Sequence, residues 1–481
     1  MRQGRVRHFG GAAGLGIGLG FASAGPALAH AGDAGFVLLL PTGYYLAGGA
    51  LAVALSFVIL AMVPPGPLAR LAEWRRTLFA TPLEWRLVLS WLSFAGFATL
   101  LVAGCWGSRD PLSNPLPLVF WTILWGALAI VEGLVGDVWF WINPWYGPYR
   151  LLSAFRGRSG AEDGDRALSG GLAYWPAAIL FLAFAWFELV YPAPEDPSRL
   201  AAILLVYYLA NLVAMLAFGY SAWMRQGECL SAFFLMISRL ALFSGRKDDL
   251  PHRRPIGLAL PGARLTSAEA LPPSGILFLL LALSSVSFDG LSRTFAWLGF
   301  VGINPLDFPG RSAVIGVNTA GLVGMAAALC GAFLLAVWLG HILSGSTISF
   351  RRAAGALAWS IIPISLAYHI AHNLTEILVN AQYALAAISD PFARGWNLFG
   401  TAGMHVHAGI TAGYDSAWAI WNTQAVVIIT GHVLAVLVAH VIAWRLHGSA
   451  RKTVMSQIPL AVLMVFYTVF GLWLLASPAG A

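Results

Sequence analysis

The chain has 481 residues, of which 59% are hydrophobic and only 10% charged, with a formal net charge of +7. Soluble globular chains carry about 25% charged residues, so this one lacks the polar surface to cover itself in water. Its mean hydropathy of +0.75 and its repeated apolar runs of about 20 residues predict an all-α, polytopic integral membrane helix bundle with the lipid bilayer as its main partner. The basic excess fits cytoplasmic loops and does not call for nucleic acid. Cys105, Cys229 and Cys330 are scattered and form no CxxC, which argues against a disulfide framework or a cysteine-based zinc site.

Residues 1–29 read as a signal peptide. Arg2, Arg5 and Arg7 precede a small apolar stretch that ends in Ala27-Leu28-Ala29, an A-x-A cleavage pattern. Cleavage there makes His30 the new terminus, whose free amine and imidazole can chelate one ion in the manner of the histidine brace of copper oxygenases. Asp33 lies beside it.

Residues 30–481 then form a single membrane domain of about ten spans. The apolar runs place them near Phe36–Val63, Arg86–Trp106, Leu116–Trp141, Leu172–Tyr191 and Leu200–Trp223 in the first half. The second half has Pro272–Asp289, Asn318–Leu343, Ala354–Tyr383, Ala417–Trp444 and Gln457–Ala476. Basic residues fall in alternate loops, from Arg70, Arg75 and Arg76 through to Arg445, Arg451 and Lys452. That alternation predicts both termini outside, in the inner membrane of a bacterium. The longest cytoplasmic loop, 224–271, contains CLSAFFLMISRLALF, expected to lie along the membrane surface.

The eighth run carries AYHIAHNLTE, which has no business in hydrocarbon without a partner. At 100° per residue, Ser365, His369, His372, Glu376, Asn380 and Tyr383 share an arc of about 80°. Charged groups at the bilayer centre cost about 2.5–3.5 kcal/mol on insertion scales and normally face the bundle interior. Histidines at i and i+3 can present two ring nitrogens to one ion, with Glu376 a turn beyond as ligand or base. The plainer alternative is interhelical hydrogen bonding.

Partners on other spans are expected from three places. Asp289, in SSVSFDGL, reads as an unwound helix end lining a cavity and a third ligand. His432 stands at comparable depth in the ninth span, and Glu132 lies deep in the third. His405 and His407 form HVH in an outer loop, where alternating histidines are usually solvated.

Several stretches together carry a resemblance. HAGDAGFVLLLPTGYYLAGGALAVALSF, VGDVWFWINPW, SSVSFDGLSRT, AYHIAHNL, SDPFARGWNLFGTA and YTVFGLWLL span most of the chain after residue 29. The chain resembles a family of polytopic bacterial membrane proteins known as fenitrothion hydrolases, which implies an organophosphate-degrading activity. On that reading His369, His372 and Asp289, with His30 and His432 as further donors, hold a divalent ion, zinc or copper. Glu376 and Glu132 are the acid–base candidates. The substrate is a small apolar ester arriving from the periplasmic side, and a second membrane subunit is a possible partner. No GxSxG motif is present to suggest a serine nucleophile. Two other classes remain open: a metal (copper) transport or insertion protein, which the absence of methionine beside the histidines weakens, and a haem-binding electron carrier using His432.

Overall fold

The computed structural model describes residues 42–157, 168, 171–245, 253–304, 310–411 and 413–477. The expected signal segment, His30 and Asp33 lie outside the described residues.

Among the described residues nine helices are long and apolar enough to cross a membrane. With one shorter helix they are α1 (Thr42–Met62), α2 (Glu84–Trp106), α3 (Pro115–Leu134), α4 (Trp175–Leu189), α5 (Pro197–Phe218), α6 (Pro273–Ser292), α7 (Arg311–Leu343), α8 (Phe350–Ser389), α9 (Tyr414–His447) and α10 (Ala450–Ala476). The fourth expected span is the exception. At 15 residues, α4 is about 22 Å long, short of a bilayer core of about 30 Å.

Local chemistry sets the ends. Asn114 caps α3 through the Leu116 amide, with Pro115 at the first helical position. Asp196 caps α5 by accepting from the amides of Ser198 and Arg199. Gly448, at φ 63°, closes α9 in the left-handed conformation that suits glycine. Within α8 the ladder tightens to a 3-10 turn at Ala358–Ile361, just before Pro363, which has no amide to donate.

The bundle is centred on α8. Its most apolar window is 89% buried and that of α6 is 78%, against 11% for α1. The α8 helix packs on α9, α3 and α6, while α1, α9 and α10 pack on one another. The α8–α9 contact depends on a missing side chain. A Cβ on Gly431 would stand 2.4 Å from the Ala367 methyl and 2.8 Å from the Pro363 carbonyl oxygen.

Three expectations are corrected. The α6 helix is not unwound at Asp289 but continues through it to Ser292, so the carboxylate projects from regular helix. Cys229–Ile237 does not lie along a surface. It is a helix buried on nearly every side, with Phe234 and Ile237 fully enclosed. The third span does not run to Trp141. It stops at Leu134, and the chain turns at Gly136, where a Cβ would meet the Phe243 carbonyl oxygen at 2.7 Å.

A small antiparallel sheet also forms where loops were expected. Its strands β1 (Arg75–Pro82), β2 (Phe243–Gly245) and β3 (Arg253–Ala259) lie in the order β1-β3-β2.

Gly431→Val should force α8 and α9 apart and destabilise the protein by about 1–3 kcal/mol, read as a lower unfolding temperature in detergent. Gly48→Ala, in open space on α1, should leave that temperature unchanged or raise it.

Candidate functional site

Where α6 passes α8, a carboxylate and an imidazole meet inside the bundle. Asp289 is only 5% exposed, and its Oδ2 lies 2.6 Å from His372 Nε2. Its Oδ1 accepts from Arg293, one turn on, at 3.0 Å from Nη2 and 3.2 Å from Nε. Hydrogen bonds in which one partner is ionised are roughly twice as strong as neutral ones, and a low-dielectric surrounding strengthens them further. The His372 side chain is 32% exposed, so its ring is gripped at one nitrogen without being sealed in.

Two glutamates flank this pair. Glu376, a turn beyond His372 on α8, accepts from Thr122 Oγ1 at 3.1 Å and sits 3.5 Å from Asn380 Nδ2. Glu188, at the end of α4, accepts from Trp125 Nε1 at 2.9 Å. The charged neighbours of Glu188 are Asp289, His372 and Glu376, and those of Arg293 are the carboxylates of Asp289, Glu376 and Glu188. Three helices therefore each contribute an acidic group to one cluster, with one imidazole and one guanidinium among them.

The α3 helix supplies the wall behind the cluster. Its stretch Leu118–Leu128 is a π-helix, a rare form that is frequent at functional sites. Thr122 and Trp125, which hold the two glutamates, both lie in it. His369 braces the same stretch: its Nε2–H donates to the carbonyls of Trp125 at 3.0 Å and Gly126 at 3.3 Å. The Trp125 ring stands edge-on to His369 at 4.9 Å and against Phe184 at the same distance. Phe181 and Phe233 extend this aromatic wall.

The expected convergence of Asp289 with the eighth run is present, but through His372 alone. His369 and His372 make their contacts on different helices, Nε2 of the first with α3 carbonyls and Nε2 of the second with Asp289 of α6. Among the described residues no group of three or more His, Cys, Asp or Glu is placed to hold a metal ion. The two-imidazole ligand set does not fit this geometry.

The remaining candidates stand apart. His432 donates from Nδ1 to the Ile428 carbonyl at 2.8 Å, with its ring beside those of Tyr368 and Tyr467. Glu132, seven residues beyond Trp125 and so about 10 Å along the helix, accepts from the Trp139 amide at 2.5 Å. It lies near the Asp137–Arg254 ion pair, which spans 2.8 Å. That contact pins the turn after α3. His405 and His407 are exposed, with ring centroids 5.2 Å apart.

Glu188 and Arg293 were missed by the sequence reading. Glu188 is the lone acid of WPAAILFLAFAWFEL, but at a span's edge it reads as an interfacial residue. Arg293 follows Asp289 by four positions, the spacing of a helical ion pair, and that signal was available.

No family model, no curated protein and no solved structure matches this chain.

Glu132→Ala leaves the buried Trp139 amide without its acceptor and should cost about 1–3 kcal/mol. Glu132→Gln keeps an acceptor and should recover most of that loss, both read by unfolding in detergent.

Proposed function

We propose that the chain is a membrane-embedded hydrolase of small apolar esters, phosphotriesters among them, with Asp289 and His372 as its general-base pair. The observation that carries this reading is the 2.6 Å contact between Asp289 Oδ2 and His372 Nε2. A carboxylate bonded to one imidazole nitrogen fixes the ring and stabilises the imidazolium formed when the other nitrogen takes a proton. His372 Nδ1 takes a proton from water, and the resulting hydroxide attacks the phosphorus or carbonyl carbon. The bond to the leaving oxygen breaks with its electron pair, and the His372 imidazolium returns its proton to that oxygen.

The aromatic wall around Trp125 suits an apolar substrate that partitions from the bilayer. The alternation of basic loops favours a site toward the periplasmic side of a bacterial inner membrane. Metal is not part of this reading, since among the described residues no group of three or more His, Cys, Asp or Glu is placed to hold one.

A second reading is a proton or cation pathway. It is favoured by the gathering of Glu188, Asp289 and Glu376 from three helices, since intramembrane carboxylates commonly mark such routes.

Turnover of a p-nitrophenyl phosphotriester by the purified protein in lipid vesicles tests both. Asp289→Asn and His372→Gln should each lower turnover by about 10²–10⁴-fold while unfolding at near the parent temperature. Wild-type turnover in both folded variants sinks the hydrolase. No turnover at all, with dissipation of an imposed pH gradient that His372→Gln abolishes, favours the pathway. Loss of turnover on chelation, with recovery on adding zinc, would return a metal to the site.

A further inference from the structure

The small sheet makes a second polar site, independent of the proposed hydrolase. Arg75 and Arg76 from β1, Ser244 and Gly245 from β2, Gly257 from β3 and Arg264 from the following turn line a pocket of about 50 Å³. One water needs about 10–15 Å³ by that measure, so the space matches a small tetrahedral oxyanion.

Among the described residues the charge in this pocket is unbalanced: Arg76 has no side-chain partner, and Arg75 reaches only the Ser267 hydroxyl, at 3.3 Å. Arg264 spends one nitrogen on the carbonyls of Ser238, Ala241 and Phe243, while its Nε is buried with no partner among the described residues. Among the described residues the neighbouring acid is Asp137, already paired with Arg254 at 2.8 Å. Burial, reinforced by the nearby charges of Arg239, Arg75 and Arg254, pushes the Arg264 guanidinium down to about 10. A bound anion would relieve that crowding.

The surroundings indicate what carries the anion. Beside the arginines, Leu71 is 56% exposed, Trp74 45%, Leu78 45% and Phe79 57%. An apolar surface next to an oxyanion pocket, at the end of a membrane bundle, is the profile of a phospholipid: head in the pocket, chains along the strand.

We propose that the β1–β3–β2 sheet binds the phosphate of an anionic phospholipid between Arg75, Arg76 and Arg264, with the acyl chains against Leu78 and Phe79. Basic pockets facing the cytoplasmic leaflet recognise anionic headgroups in this way.

Native mass spectrometry of the full-length protein, given equal phosphatidylglycerol and phosphatidylcholine, tests it. Phosphatidylglycerol should be retained selectively. R76Q should weaken that retention about fivefold, and R75Q/R76Q by more than tenfold. R351Q/R352Q, altering exposed arginines on α8, should leave it unchanged. If the double variant fails to fold, R76Q alone carries the test. The proposal is overturned by equal retention of both lipids, by unchanged retention in R76Q, or by equal loss in R351Q/R352Q. It also falls if inorganic phosphate raises the unfolding temperature as much as the lipid does, since the site would then read a free anion.

Discussion

Hydrocarbon offers a charge neither water nor counter-ion, so an ionisable group within a bundle must be answered by other parts of the protein. Asp289 states that requirement most sharply. Its two oxygens are taken by His372 from α8 and Arg293 from its own helix. The neighbouring Glu188 and Glu376 are held in turn by Trp125 and Thr122 of α3. Four helices are thus tied through one polar knot, and it is no accident that α6 and α8 are the most enclosed of them. The apolar packing around the knot excludes lipid, and the knot fixes the rotation of each helix.

His369 and His372 show how two like residues on one seam come to different ends. Three positions apart on a helix, their side chains leave in directions about 60° apart. Here that difference points one ring to the π-helical wall and the other to the carboxylate. The first orders a backbone whose carbonyls are turned outward. The second grips the carboxylate that Arg293 also holds. Chemistry and architecture are divided between adjacent turns of a single helix.

Much of this was legible in the residues themselves. Hydropathy sufficed for the bundle, and helical periodicity singled out the seam on α8. The pairing of Asp289 with that seam followed from the need of a deep acid for a partner. What could not be read was the direction of His369, because a π-helix leaves no mark in LVFWTILWGAL, which is apolar however it is wound. The burial of Cys229–Ile237 was hidden for a related reason: CLSAFFLMI is as compatible with a core as with a membrane surface. The strands escaped notice because RRTLFATP and RRPIGLA combine charges, prolines and short apolar pieces without a clear two-residue period.

The brevity of α4 bears on how the knot meets its surroundings. A helix of about 22 Å beside lipids that prefer about 30 Å creates hydrophobic mismatch, which a bilayer relieves by thinning locally. Ile179 and Trp175, 66% and 46% exposed, mark the flank where that adjustment must occur. Glu188 closes the same helix. Headgroups and their hydration would be drawn down beside it, and a solute dissolved in the acyl chains would meet water there several ångströms deeper than elsewhere around the molecule.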